Sequence, residues 1–219
     1  MAIGGGPLLL AEARLEDELL RLSEVARPLV CYLATATGDD STRIEQFYAA
    51  FSARGCETTH VELFGVSEDA AAQVAAADVV YVGGGNTVSL LAVWEAHGIG
   101  AACRSVCERG GVLAGWSAGG CCWFDAFVTD SFGPLRGFAP GLGLAEGSFC
   151  PHFDGEPERR PAYERLVADG FPAGYAADDG AAVVLRDGTF VEAVAQRPGA
   201  TAWRVEPGAT EPLPTRLLA

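Results

Sequence analysis

Between residues 28 and 116 the chain alternates short apolar runs with segments of helical spacing, and no other feature restricts its fold as much. Pro28-Leu29-Val30-Cys31-Tyr32-Leu33-Ala34 reads as a buried strand. Residues 44–53 follow with Ile44, Phe47, Tyr48 and Phe51 on one helical face, closed by Gly55. Thr59-His60-Val61-Glu62-Leu63-Phe64 is a second strand, residues 68–77 an alanine-rich helix, and Asp78-Val79-Val80-Tyr81-Val82 a third strand. Two more helices, over 88–96 and 101–109, lead to a strand at 112–115. Strands with no polar face must be covered on both sides, so the pattern predicts a parallel sheet between helical layers. The expected class is α/β: a three-layer sandwich with a mostly parallel central sheet. The tail breaks the pattern. Residues 181–185 and 189–194 flank Arg186-Asp187-Gly188 and predict an antiparallel C-terminal hairpin with an Asp-Gly turn. Residues 200–205 are a candidate third strand. Residues 125–147 are glycine-rich, read as irregular, and suit an active-site loop.

At 219 residues the chain is long enough to bury a large core and is expected to form one domain over 1–219. Its net charge of −14 argues against nucleic acid and against an anionic membrane surface, since nothing could neutralise a row of phosphates. No apolar run approaches the length of a membrane span. Residues 1–10 lack the basic start and the length of a signal peptide. The seven cysteines, Cys31, Cys56, Cys103, Cys107, Cys121, Cys122 and Cys150, contain no C-x-x-C pair. Odd in number and mostly set in apolar segments, they read as reduced, buried small hydrophobes of a cytoplasmic protein.

The strand at 112–115 runs into Gly115-Trp116-Ser117-Ala118-Gly119. A strand that turns sharply into a helix through G-x-S-x-G exposes the serine at the tip of the turn. Glycine is needed where the backbone is strained and neighbouring chain passes close by. The helix N-terminus behind Ser117 favours an oxyanion. A serine nucleophile needs a base, and three histidines are available. His97 ends a helix, where it suits the helix dipole. His60 begins an early strand. His152, in Phe149-Cys150-Pro151-His152-Phe153-Asp154, follows a strand end and is the expected base. The orienting acid is expected between serine and histidine. Asp130 is the first choice and Asp125 the alternative; Asp154 competes but suits a helix cap. The oxyanion hole needs two backbone N–H groups, one from Ala118 and one from Gly84 or Gly85, because Gly83-Gly84-Gly85 also ends a strand. That glycine turn lacks the lysine of a P-loop and the G-x-G-x-x-G spacing, which weakens a nucleotide-binding reading. No metal-ligand spacing occurs, and neither metal nor cofactor is expected.

The ordered set Val82-Gly83-Gly84-Gly85-Asn86-Thr87, Gly115-Trp116-Ser117-Ala118-Gly119 and Pro151-His152-Phe153 resembles the peptidase E family. These are serine peptidases of the aspartyl dipeptidase and cyanophycinase group, with a fold like class I glutamine amidotransferases. The resemblance spans roughly residues 28–185. It implies metal-free cleavage after an N-terminal aspartate in short peptides, Ser117 as nucleophile, His152 as base, and an oxyanion hole at Gly84/Gly85 with Ala118. It also places Asn86 among substrate-binding residues. In the aspartyl dipeptidase the acid lies in an Asn-Asp pair at a slightly larger spacing from the serine, where this chain reads Thr129-Asp130-Ser131; some relatives use a glutamate. The long extensions of cyanophycinases are missing, which favours a small-peptide substrate.

A substrate aspartate needs a local cation against the acidic field of the protein. Arg159 and Arg160, shortly after His152, are the candidates, with Arg136 behind them. The competing role for both is pairing with Glu156 and Glu164 on a solvated helix. An α/β-hydrolase esterase shares G-x-S-x-G, but only 35 residues separate Ser117 from His152 and no H-G-G-G loop precedes the turn. A metabolite-binding domain of the same fold with a broken triad is the non-enzymatic alternative. The expected partner is a small peptide, with no nucleic acid or membrane, for a monomer or homodimer.

Overall fold

The computed structural model describes residues 1–5 and 14–219; part of the segment weighed above as a signal peptide therefore lies outside the described residues. The chain enters through β1 (Ala2–Ile3), and α1 (Arg14–Leu22) precedes β2 (Leu29–Leu33). A single 3-10 turn (Thr35–Thr37) leads to α2 (Ser41–Phe51), β3 (Glu57–Val61), α3 (Ala70–Ala75) and β4 (Val79–Val82). Then come α4 (Thr87–His97), α5 (Ile99–Glu108), β5 (Val112–Trp116) and the short α6 (Ala118–Cys121). Strands β1, β5, β4, β2 and β3 lie side by side in that order, all parallel. Strands β2 to β5 are those that the apolar runs predict; β1, only two residues long, is not among them.

Its burial follows the two-residue period of a strand. In β2, Val30 and Tyr32 face α2, while Cys31 and Leu33 face the other side; in β4, Val79 and Tyr81 alternate with Val80 and Val82 in the same way. On the first side α2 supplies Ile44, Phe47, Ala50 and Phe51, and α1 supplies Leu15 and Leu19. On the second side Val74 of α3, Leu90 and Trp94 of α4, and Ile99, Cys103 and Val106 of α5 close the core. Each fully buried side chain of this size contributes about 1.5–3 kcal/mol, so neither face can be uncovered without loss of the fold. Polar caps fix where the helices begin: the Asp40 carboxylate accepts from Arg43 N–H at 3.0 Å, and the Asn86 carbonyl from Ser89 N–H at 2.9 Å.

After α6 the structure departs from the sequence expectation. Residues 125–147, expected as an irregular loop, instead carry most of β6 (Phe124–Thr129), all of β7 (Arg136–Phe138) and the start of β8 (Ala145–Cys150). Then follow α7 (Arg159–Ala168), β9 (Gly174–Ala177), β10 (Ala181–Arg186), β11 (Thr189–Ala195), β12 (Ala202–Glu206), β13 (Ala209–Pro212) and β14 (Thr215–Leu217). Strands β13, β12, β9, β8, β6 and β7 form a second sheet in that order. Its Phe124, Phe127 and Phe149 join the core beside α4 and α5, and α7 covers its other face through Tyr163 and Val167. The β10–β11 hairpin forms as expected, turning at Asp187 and Gly188, both with positive φ. It extends the central sheet by pairing β10 antiparallel to β1. The expected third strand exists as β12, but it pairs with β9 in the second sheet and not with the hairpin.

Strand β5 lies beside β4 with Gly115 opposite Val82. A Cβ at Gly119 would stand 2.2 Å from the Val82 carbonyl oxygen, and one at Gly115 would stand 2.5 Å from that of Gly119. The two outer glycines of G-x-S-x-G therefore let α6 turn back against β4. Gly119→Ala should destabilise the fold by about 1–3 kcal/mol, the usual cost of overpacking. Gly65→Ala, at a site with nothing within 4 Å, should stay within about 0.5 kcal/mol of wild type. Urea unfolding midpoints of the two variants measure the difference; equal midpoints would contradict the close approach.

Candidate active site

Ser117 adopts φ 53° and ψ −115°, a conformation that L-residues rarely occupy. Such a residue persists only when its surroundings over-determine it. Here Ser117 N–H donates to the Ile3 carbonyl at 3.0 Å, while its own carbonyl accepts from Gly120 and Cys121 N–H, both at 2.9 Å. The turn is thus clamped between β1 and the first turn of α6, and the side chain is left at the carboxyl end of β5.

His152 comes from the turn after β8. It too has positive φ, 53°, and its N–H donates to the Gly4 carbonyl at 3.2 Å. Its Nε2 lies 2.9 Å from Ser117 Oγ, and its Nδ1 lies 2.7 Å from Asp179 Oδ1. A carboxylate on Nδ1 holds the proton there and leaves Nε2 as acceptor, so the hydroxyl of Ser117 donates to His152. The hydrogen bond from His152 holds the Asp179 carboxyl below the usual aspartate range against the opposing effect of burial, and nearby positive charges add to the shift. Asp179 therefore stays ionised throughout the neutral range. The ion-assisted bond stabilises the fold above the ordinary aspartate pKa, and this stabilisation is lost only as pH falls through the depressed value.

The chain passes very close to this pair. A Cβ at Gly5 would stand 2.2 Å from Asp179 Oδ1 and 2.3 Å from the His152 ring. Gly5 forms an isolated parallel bridge with Asp179, and Gly180 N–H donates to the Gly5 carbonyl at 2.8 Å. Asp154, weighed above as a competing acid, braces the partner instead: its Oδ1 accepts from Asp179 N–H at 2.8 Å, and its other oxygen pairs with Arg197. Arg197 in turn donates to the Asp179 carbonyl at 2.8 Å.

The carboxylate on His152 is thus neither Asp130 nor Asp125. Asp130 is largely exposed at the end of β6, and its nearest cation is Arg159 at 3.7 Å. Asp125 accepts from Gly147 N–H at 2.9 Å and ties β6 to β8. The expectation failed because it placed the acid between serine and histidine in chain order; the structure has the order serine, histidine, aspartate. One signal in the sequence pointed to the right residue. The Asp178-Asp179 pair directly follows the apolar Tyr175-Ala176-Ala177, and functional side chains in α/β sheets gather beyond strand carboxyl ends. The neighbouring Asp178 serves the scaffold, accepting from Trp203 Nε1 at 2.9 Å and Thr201 N–H at 3.0 Å.

Of the other histidines, His60 on β3 shares a 2.7 Å hydrogen bond with Tyr48 of α2, and His97 ends α4. Cys121 and Cys122, at the end of α6 behind Ser117, are buried, and burial pushes the pKa of both thiols far up, so they stay protonated and inert as nucleophiles. Ala118 is the first residue of α6, so its N–H has no acceptor within the helix. Gly84 and Gly85 follow β4, the strand next to β5, which brings them alongside the Ser117 turn. Asn86 is engaged at both ends of its amide, capping α4 and donating to the Ser131 carbonyl at 3.1 Å. Arg159 is buried at the start of α7, with Nε on Glu156 at 2.7 Å; its positive charge acts on Asp179 and on Cys121. Arg160 turns to the outside of α7, paired with Glu164 at 2.9 Å and stacked on Trp203. Arg136 lies over the exposed Phe132.

A serine on a strained strand-to-helix turn, hydrogen-bonded through a histidine to an ionised aspartate, defines a serine-type hydrolase site. The chain belongs to peptidase family S51, whose model matches residues 1–193. It is 42% identical over 226 residues to the uncharacterized peptidase YgaJ of Bacillus subtilis (strain 168), covering 100% of this chain and 98% of that protein. A crystal structure of a peptidase from an acI-B1 Actinobacterium superposes with a TM-score of 0.73 at 20% identity, covering 98% of this chain and 93% of that one, and so shares the fold. The protein is a serine-type peptidase of the peptidase E kind. Among the described residues no helix is long and apolar enough to cross a membrane.

Asp179→Asn should lower kcat by about 10²–10⁴-fold, because an amide neither fixes the tautomer of His152 nor stabilises its cation. Asp130→Asn and Asp125→Asn should leave turnover close to wild type. Steady-state rates of the three purified variants check the assignment, and a collapse at Asp130 with a healthy Asp179→Asn would reverse it.

Proposed function

We propose that this peptidase hydrolyses short peptides after an N-terminal aspartate, with Ser117 as nucleophile, His152 as general base and acid, and Asp179 as the orienting carboxylate. The observation that carries the proposal is the hydrogen-bonded chain from Ser117 Oγ through His152 to Asp179. Ser117 Oγ attacks the scissile carbonyl carbon and gives its proton to His152 Nε2. The oxyanion meets the N–H groups of Ala118 and of Gly84 or Gly85. The C–N bond then breaks as His152 returns the proton to the leaving amine. Water, deprotonated by His152, attacks the acyl-enzyme and releases the acid.

For the side chain of the N-terminal aspartate, Arg159 is the better of the two expected cations. It is buried, its field reaches Asp179, and its Nε is bound to Glu156 while its Nη2 keeps the looser 3.7 Å contact with Asp130. Arg160 is occupied on the outer face of α7. A buried charged hydrogen bond of this kind discriminates about tenfold to a hundredfold between aspartate and asparagine. The open charge environment of a −14 chain disfavours nucleic acid and anionic membrane as partners, and the reduced cysteines fit the cytoplasm.

Ser117→Ala should lower turnover by on the order of a millionfold while the protein still unfolds cooperatively. A fluorophosphonate probe should label the wild type at Ser117 and leave Ser117→Ala unlabelled. Wild-type-like turnover in Ser117→Ala would overturn the mechanism. Asp-Leu should be cleaved faster than Asn-Leu, and Arg159→Met should erase the preference while Arg160→Met keeps it. Equal rates on both dipeptides in the wild type would remove the cationic pocket.

A further inference from the structure

A second cation stands on the opposite side of the nucleophile, and nothing above uses it. Arg43, in the first turn of α2, places its guanidinium 5.6 Å from the centre of the Trp116 ring. Trp116 is the residue directly before Ser117. The hydrogen bond recorded for the Arg43 side chain goes to the neutral Gln46, at 3.0 Å; among the described residues no carboxylate pairs with it. The other arginines near the site, Arg159, Arg160 and Arg197, are each bound to a carboxylate.

Two further polar groups beside Arg43 lack partners. Trp116 Nε1 and the Tyr32 hydroxyl are buried with no hydrogen-bond partner among the described residues. Tyr32 is fully buried, and the charge of Arg43 acts on its hydroxyl. An orphaned buried donor costs about 1–3 kcal/mol and calls for an explanation. Both groups border the glycine turn after β4: a Cβ at Gly83 would stand 2.5 Å from the Tyr32 hydroxyl, and one at Gly84 would stand 2.4 Å from the Trp116 ring. Arginine, indole and phenol thus converge where β2, β4 and β5 end, beside the proposed oxyanion hole. All three can donate, and the cation is held over an aromatic face, which keeps its edge free for a planar anion.

We infer that Arg43, on its Trp116 shelf, binds the C-terminal carboxylate of a dipeptide substrate and is a specificity-determining residue of the proposed reaction. The inference rests on the serine-peptidase reading of Ser117. Its geometry is set by the two sides of β5. Helix α2 covers the face lined by Tyr32, Tyr81 and Ala114, whereas Arg159 acts on Cys121 and Cys150, which lie on the far side with the second sheet. A scissile bond seated over Ser117 sends the N-terminal side chain to one side and the second residue to the other. With the aspartate side chain directed to Arg159, the carboxylate one residue further on falls to Arg43.

The test compares Asp-Leu with Asp-Leu-amide, which differs only in that carboxylate. The wild type should prefer Asp-Leu by tenfold or more in kcat/KM. Arg43→Met should lose about ten- to a hundredfold on Asp-Leu, mostly as a higher KM, and at least tenfold less on the amide, so that the two substrates converge. Arg43→Lys, which keeps the charge but not the planar fork, should recover part of the preference. Equal wild-type rates on acid and amide would overturn the inference, as would equal losses on both in Arg43→Met. Loss of the Asp-Leu over Asn-Leu preference in Arg43→Met would instead assign this cation to the aspartate side chain. Failure to cleave any of these dipeptides, with Ser117 still labelled by a fluorophosphonate, would reject the proposed substrate and not the nucleophile. Thermal unfolding of Arg43→Met separates loss of binding from loss of fold.

Discussion

The backbone at Ser117 is the constraint on which the rest of the site depends. A non-glycine residue at φ 53° and ψ −115° costs about 1–3 kcal/mol. That cost is met by packing that leaves the turn no alternative. Val82 of β4 lies against Gly115 and Gly119, the Ile3 carbonyl takes the Ser117 N–H, and α6 begins immediately afterwards. Because the strain is held by the sheet, the hydroxyl is positioned by rigid neighbours and not by a flexible loop. This is the condition under which a hydroxyl, a base and backbone donors can stay in register through a reaction.

His152 and Asp179 reach the same point from the second sheet and its exit. One follows β8, the other follows β9, and β8 and β9 are adjacent parallel strands. Their carboxyl ends therefore lie side by side, next to β1 of the central sheet through the Gly5 bridge. The two sheets meet at the chemistry. The short β1 is the joint, since its far end supplies the Ile3 and Gly4 carbonyls and the bare backbone of Gly5 against the His152–Asp179 pair. A side chain larger than hydrogen at Gly5 would separate them.

Electrostatics then divides the site by side. The protein is acidic overall, so any substrate anion is drawn in by local cations only. Near the triad the carboxylates are mostly tied to arginines, Asp154 to Arg197 and Glu156 to Arg159. Asp179 is kept ionised by His152. Arg43 is set apart from this network, on an aromatic shelf across β5.

The sequence did not show α1 or the short β1, but it determined the four parallel strands β2 to β5 with the helices between them, the elbow at Ser117 and the importance of His152. Each of these is a local matter: apolar alternation, glycine at a strained turn, and proline before a histidine at a strand end are readable within a window of a few residues. It also exposed the C-terminal hairpin through Asp187-Gly188, because a two-residue turn is a local choice. Only the tertiary structure decided the rest. Residues 125–147 look irregular because glycines interrupt β7 and β8 and the linkers around them, and because β6 is held between β7 and β8 while β8 takes its other partner from β9, beyond α7. Asn86 and Arg160 looked available for substrate until Ser131, Glu164 and Trp203 were seen to engage them. Asp179 was passed over in favour of Asp130 because a triad is a contact in space. Which of several aspartates faces the imidazole depends on how β8 and β9 pair and on where β1 crosses them, and neither is encoded in the residues around any one of those aspartates.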